Sequence, residues 1–198
     1  MKDTFTTENA AMLLIDHQVG TAKLARNIDH GTLVANTRAL ARVAVGTGMP
    51  LLLTTSQETN FQGRMFADLE QIAPDAYAAR VKRPGTVDAW RYAPFHEAAL
   101  AVGRKKLVVA GLTNDVCTVF PSISAVEEGY QVQVVVDAGG SPTQAADDFA
   151  VARMRQSGVG ITGTNQILAE LASDWSTEAG GTILGVMYEE ILRPMVET

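Results

Sequence analysis

The chain has 198 residues, of which 46% are hydrophobic and 19% charged, with a formal net charge of −6 and a pI near 5.0. That size and balance describe one globular domain with a substantial core and exclude a disordered chain. The acidic balance and the scattered 16 basic residues argue against a nucleic-acid or anionic-membrane surface, and the single cysteine allows no internal disulfide.

The opening residues, Met1 to Glu8, carry no apolar signal core, and no apolar run approaches the ~20 residues needed to span a bilayer. The expectation is a soluble cytoplasmic protein. Ala10 to Ile15 reads as a first strand ending at Asp16. Gly31 to Val45 has apolar residues at helical spacing and stops at Gly46 and Gly48. Pro50 opens a second strand, Leu51 to Thr55. Ala79 to Lys82 is a weaker third strand, halted by Pro84-Gly85. Phe95 to Val102 is a short helix. A fourth strand, Leu107 to Ala110, follows two lysines and closes at Gly111.

Asn114 and Asp115 are good helix caps, and Thr118 to Gly129 reads as a helix with Pro121 in its first turn. Val132 to Val136 is a fifth strand ending at Asp137. A helix over Gln144 to Ser157, a sixth strand over Val159 to Thr162 and a helix over Asn165 to Ala172 complete the core. Strands that are apolar throughout are buried on both faces. The expected fold is therefore a three-layer αβα arrangement around a six-stranded, mostly parallel sheet. Residues 1–198 read as a single domain, with 173–198 a C-terminal helical extension. Its apolar stretch, Ile183 to Leu192, fits equally against its own core or a neighbouring subunit.

Cys117 falls just inside a helix N-terminus beyond the carboxyl end of a strand. The helix dipole and free N–H groups there favour a thiolate, and sites in open α/β sheets lie at that edge. A lone cysteine is also a common buried hydrophobe, so position alone leaves both readings open. Asp16, Lys82 and Cys117 all end strands, and the carboxyl ends of parallel strands meet at one face. A carboxylate beside a thiol can accept its proton, and a nearby lysine stabilises charge. Arg83 follows Lys82, and the sequence does not say which side chain points inward; alternation places Lys82 and Arg80 on one face. Backbone N–H groups from Thr113 to Cys117 are candidates for an oxyanion hole.

These anchors carry a resemblance. The segments Leu13-Leu14-Ile15-Asp16-His17-Gln18, Lys82 to Trp90, Gly111 to Cys117 with Phe120-Pro121, and Ser124 to Tyr130 resemble the isochorismatase-like cysteine hydrolases, closest to their YcaC-like branch. The resemblance implies Cys117 as nucleophile, Asp16 as general base and later acid, and Lys82 as electrostatic partner. It also implies a cis peptide at Leu112–Thr113 that aims N–H groups at an oxyanion. The implied reaction is hydrolysis of a small amide, ureido or lactam-type substrate through a covalent acyl-enzyme. The alternatives are an isochorismatase-type vinyl-ether hydrolase and a catalytically silent oligomeric binding protein. Asn114 stands where the family usually has threonine.

Gln18 is expected to look into the pocket, and Trp90, Phe61, Phe66 and Phe120 are candidate walls. His17 is turned from that face by the period of two. His17, His30 and His96 form no recognisable ligand set, so no metal and no cofactor are expected. The expected partners are a small-molecule substrate and further copies of the chain, a homo-oligomer. Gly139-Gly140 suggests a loop near the site.

Overall fold

The computed structural model describes residues 4–197; Met1 to Asp3 and Thr198, which the single-domain reading includes, lie outside the described residues. Six strands form one sheet: β1 (Ala10–Ile15), β2 (Leu51–Ser56), β3 (Val81–Arg83), β4 (Lys106–Gly111), β5 (Gln131–Val135) and β6 (Gly160–Thr162). Every pairing is parallel, and the spatial order is β3-β2-β1-β4-β5-β6. The chain builds outward from β1 to one edge, then returns to β4 and builds to the other. The switch point therefore lies between β1 and β4, where open α/β sheets place their ligand crevice.

β1 shows why the sheet needs helices on both faces. All six residues are buried. Ala10, Met12 and Leu14 enter one core, and Ala11, Leu13 and Ile15 enter the other, as the period of two requires. The first core is closed by α1 (His30–Thr47), α7 (Thr164–Ala172) and α8 (Glu178–Met187) through Leu33, Leu40, Ile167, Leu168 and Ile183. The second is closed by α4 (Ala93–Ala101), α5 (Val119–Glu127) and α6 (Gln144–Gln156) through Phe95, Ala125 and Met154. Asp29 caps α1 by accepting the Thr32 N–H at 2.8 Å, and Thr143 caps α6 by accepting the Ala146 N–H at 3.1 Å.

Two short helices, α2 (Ala67–Ile72) and α3 (Pro74–Ala78), fill the connection into β3, where the sequence marked no element. Each is a turn or two long, too short for a helical period to register. The third strand starts two residues later than expected and runs through Arg83. The C-terminal extension folds back on its own chain. Its α8 packs against α1 and α7. Beyond it, the buried Glu190 of a π-helical turn (Tyr188–Leu192) accepts hydrogen bonds from Arg38 and Arg42 of α1. A last short helix, α9 (Arg193–Val196), ends the described chain. No helix among the described residues is long and apolar enough to cross a membrane.

Candidate active site

At the carboxyl edge the register brings Ile15 beside Gly111, so the residues that follow β1 and β4 emerge next to each other. Gly111 permits this approach: a Cβ there would stand 2.7 Å from Thr118 Oγ1 and 3.0 Å from the Ile15 carbonyl. Asp16 follows with φ of 58°, a left-handed conformation that costs a non-glycine residue about 1–2 kcal/mol. Aspartate tolerates this region better than most residues. Strain held by its surroundings is a common mark of functional sites.

Asp16 is 1% exposed and sits between two partners. On one side, Arg83 donates from Nη1 to Oδ1 at 3.0 Å and from Nη2 to Oδ2 at 2.7 Å, a bidentate pair with no exposed side-chain area on the arginine. The remaining guanidinium donors reach Thr54 Oγ1 at 2.8 Å and the Thr86 carbonyl at 3.1 Å. On the other side, the Cys117 thiol hydrogen-bonds the carboxylate. Burial raises the Asp16 pKa above its ordinary 3.8, and the Arg83 charge only partly offsets this.

Cys117 lies in a π-helical turn, Asn114–Thr118, that precedes α5. The Leu112–Thr113 peptide is cis. The Thr113 N–H donates to the sulfur. Burial and the adjacent Asp16 charge push the thiol pKa well above its usual value, against the smaller pull of Arg83 and the Thr113 N–H. The resting group is therefore held as the neutral thiol. This corrects the thiolate expected from helix position alone: desolvation and a like charge outweigh the dipole.

Lys82 is not in this constellation. Its side chain is 60% exposed and lies 3.4 Å from Glu58, which also pairs with Arg80 at 2.7 Å. Alternation does put Lys82 and Arg80 on one face, but that face looks away from Asp16. The opposite face carries Val81, packed on the second core, and Arg83. Sequence reasoning missed Arg83, although Val81 marked the inner face and Arg83 shares its parity. Gln18 is fully buried, but its amide is consumed: it donates to the Ser56 carbonyl at 2.9 Å and the Gly63 carbonyl at 2.5 Å, and accepts the Ser56 N–H at 2.9 Å. It ties the 57–66 loop to β2 and faces no pocket.

Trp90 is a core residue, 2% exposed, with its ring 4.9 Å from that of Tyr130. Tyr130 precedes β5, so this contact lies at the amino ends of the strands, far from Asp16. Phe120 is half-buried on α5 under the Arg153 guanidinium, 5.0 Å away, and lines an outer groove of about 370 Å³ with Val87, Asp88 and Arg91. Phe66 is buried and meets the rings of His17 and His30 edge-on, whereas Phe61 is 63% exposed. His17 is buried, bonds the Ala138 carbonyl through Nε2 at 2.8 Å, and is held near a pKa of about 4 by desolvation. Among the described residues no group of three or more His, Cys, Asp or Glu is arranged to hold a metal.

Gly139-Gly140 does lie against the site. A Cβ at Gly139 would stand 2.2 Å from Asn114 Oδ1 and 2.6 Å from the Gly111 carbonyl. The Asn114 N–H donates to the Gly140 carbonyl at 2.8 Å. Asn114, the departure from the usual threonine, is fully buried and donates from Nδ2 to the Val136 carbonyl at 3.0 Å and to Asp147 Oδ1 at 2.9 Å. Nothing local in the sequence linked positions 114 and 147.

The sheet is all-parallel and covered by helices on both faces, and a carboxylate follows β1 near a thiol in the turn beyond β4, at the switch point. Residues 10–166 match the Isochorismatase domain family, and the chain belongs to it. It is 36% identical over 173 residues to the probable hydrolase YcaC of Escherichia coli, covering 87% of this chain and 82% of that one. The crystal structure of the Escherichia coli YcaC gene product, an octameric hydrolase of unknown specificity, matches with a TM-score of 0.90 at 34% identity, over 98% of this chain and 95% of that one. YcaC from Pseudomonas aeruginosa with hexane-2,5-diol and covalent acrylamide matches with a TM-score of 0.88 at 34% identity, over 98% of each chain. The chain is thus an isochorismatase-family, YcaC-like hydrolase.

Proposed function

We propose that this chain hydrolyses a small amide, ureido or lactam-type substrate with Cys117 as nucleophile. The observation that carries the reading is the buried chain of contacts Cys117–Asp16–Arg83 at the β1/β4 switch point. Cys117 Sγ attacks the substrate carbonyl carbon as its proton passes to Asp16. The oxyanion that forms is taken by the backbone N–H of Cys117 and by that of Thr113, which leaves the sulfur as the sulfur–carbon bond forms. The C–N bond then breaks, and Asp16 returns the proton to the leaving nitrogen. Water attacks the thioester, its proton passes through Asp16 to the sulfur, and the acid departs.

Arg83 touches no substrate in this scheme. It keeps Asp16 charged enough to act as a base in spite of burial. Asp16 raised by desolvation is better matched to proton transfer near neutrality than an ordinary carboxylate. Covalent acrylamide on the Pseudomonas aeruginosa relative supports an amide-shaped electrophile as probe. The octameric relative supports a homo-oligomer for this chain.

The test is incubation with acrylamide followed by intact-mass measurement, then a screen of small amides for ammonia release. The expected result is one adduct, with both adduct and turnover lost in Cys117→Ala. An adduct that persists in that variant, or turnover without the thiol, overturns the reading. Cleavage of a vinyl ether by Cys117→Ala would redirect it to isochorismatase-type chemistry.

A further inference from the structure

Asp147 is a buried carboxylate, 9% exposed, that the proposed chemistry does not use. Its Oδ1 accepts from two neutral donors: Asn114 Nδ2 at 2.9 Å and Ser141 Oγ at 2.7 Å. Those donors belong to the two backbone segments that shape the site. Asn114 opens the π-helical turn carrying Cys117. Ser141 ends the 138–141 segment, whose Ala138 carbonyl holds His17 and whose Gly140 carbonyl holds the Asn114 N–H. Ser141 itself is pinned from the α1 side, its N–H donating to Asn27 Oδ1 at 2.7 Å.

Burying a carboxylate costs stability unless its oxygens are hydrogen-bonded. Here its place in the first turn of α6 offsets part of that cost. The reach between two loops explains why an acceptor stands there. Asn114 Oδ1 finds no partner among the described residues and is pressed against Gly139. The orientation of that side chain is therefore set through Nδ2, by Asp147 and the Val136 carbonyl.

We infer that Asp147 is a positioning residue for the nucleophile: its Oδ1 joins Asn114 to Ser141 and so sets the turn that presents Cys117 to Asp16. The inference rests on the reading of Cys117 as nucleophile. It assigns no contact with substrate to Asp147. Neither donor is an ion, so an uncharged oxygen acceptor in the same place can still hold both. A shift of a reacting atom by about 1 Å can cost ~10²-fold in rate, so a loosened turn should be visible in the chemistry.

The experiment measures the rate of acrylamide adduct formation at Cys117 in the full chain, well below the melting temperature of each variant. Asp147→Ala should slow the adduct at least ~10-fold. Asp147→Asn, which keeps an oxygen acceptor in place, should recover most of the rate. Asn114→Ala should slow it similarly, and adding Asp147→Ala to it should slow it little further, since both remove one link. If Asp147→Ala fails to fold, Ser141→Ala, which removes the other donor to Asp147, alone and in the Asn114→Ala background carries the same test of coupling. A rate in Asp147→Ala equal to wild type, losses that add, or an Asp147→Asn as slow as Asp147→Ala would each overturn the inference. A wild-type chain that forms no adduct at Cys117 would instead remove the proposed function on which it stands.

Discussion

The two faces of β3 carry the same kind of ion pair in opposite surroundings. On one face Arg83 meets Asp16 with both side chains shut from solvent. On the other, Arg80 and Lys82 meet Glu58 near the surface, with Lys82 60% exposed. Thr55 Oγ1 also donates to Glu58 at 2.8 Å, so that carboxylate is well satisfied without a buried charge. Neighbouring residues of one short strand thus end in different dielectric regimes. The difference teaches that a cation's role here follows from strand parity, not from its type or its place in a motif.

Removing the acceptor of the buried face should have the largest effect. Asp16→Asn should lower amide turnover by ~10²–10⁴-fold, the usual share of a general base. It should also move the pH midpoint of Cys117 alkylation downward. Burial and the Asp16 charge hold that thiol up, and without the charge Arg83 would act on the sulfur against burial alone. An unmoved midpoint would mean the two side chains are not coupled.

Arg83→Met breaks the buried pair from its other side. It should cost about 3–5 kcal/mol in denaturant unfolding, because a carboxylate is left buried with no charge partner. Arg83→Lys should recover part of that loss, since a lysine cannot reproduce the bidentate fork. A loss below ~1 kcal/mol for Arg83→Met would show that the site is wetter than its burial indicates.

Asp16 also contrasts with Glu190, the carboxylate that fastens the C-terminal extension. Burial alone would raise Glu190, but hydrogen bonds from Arg38 and Arg42 outweigh it and hold the group below 4.5. A lowered pKa contributes stability that is complete above 4.5 and is lost as the pH falls through the folded-state value. The raised pKa of Asp16 works the other way: its ionisation costs stability at neutral pH, and the cost fades as the pH falls. Acid titration of the melting temperature should therefore fall less steeply below 4.5 in Glu190→Gln than in wild type. An unchanged slope would mean the extension is held by α8 packing alone.

The smallest effect is expected on the exposed face. Lys82→Ala should change stability by less than ~0.5 kcal/mol and leave the acrylamide reaction at its wild-type rate. A tenfold loss of rate there would restore Lys82 to the site and contradict the geometry.

Much of the site was legible in the chain. Asp16 directly follows β1 and Cys117 lies in the turn beyond β4, and parallel strands bring their carboxyl ends to one edge whatever the strand order, so local pattern was enough. The layered fold was legible for the same reason: strands apolar on both faces demand helices on both. Lys82 and Arg83 were not separable, because β3 is three residues long and alternation needs an anchor. Only Val81, packed into the second core, supplies one. Gln18 and Trp90 were misplaced because polar or aromatic character alone does not say whether a side chain faces ligand or other chain segments.

The sequence by itself determined the sheet, the helices on both its faces and the pairing of a carboxylate with a thiol, since these depend on periodicity and chain order. Tertiary structure alone decided which cation is buried, that the thiol rests neutral, and that Asp147 reaches Asn114 across 33 positions. Those outcomes depend on desolvation and on contacts between distant segments, which exist only once the layers have closed.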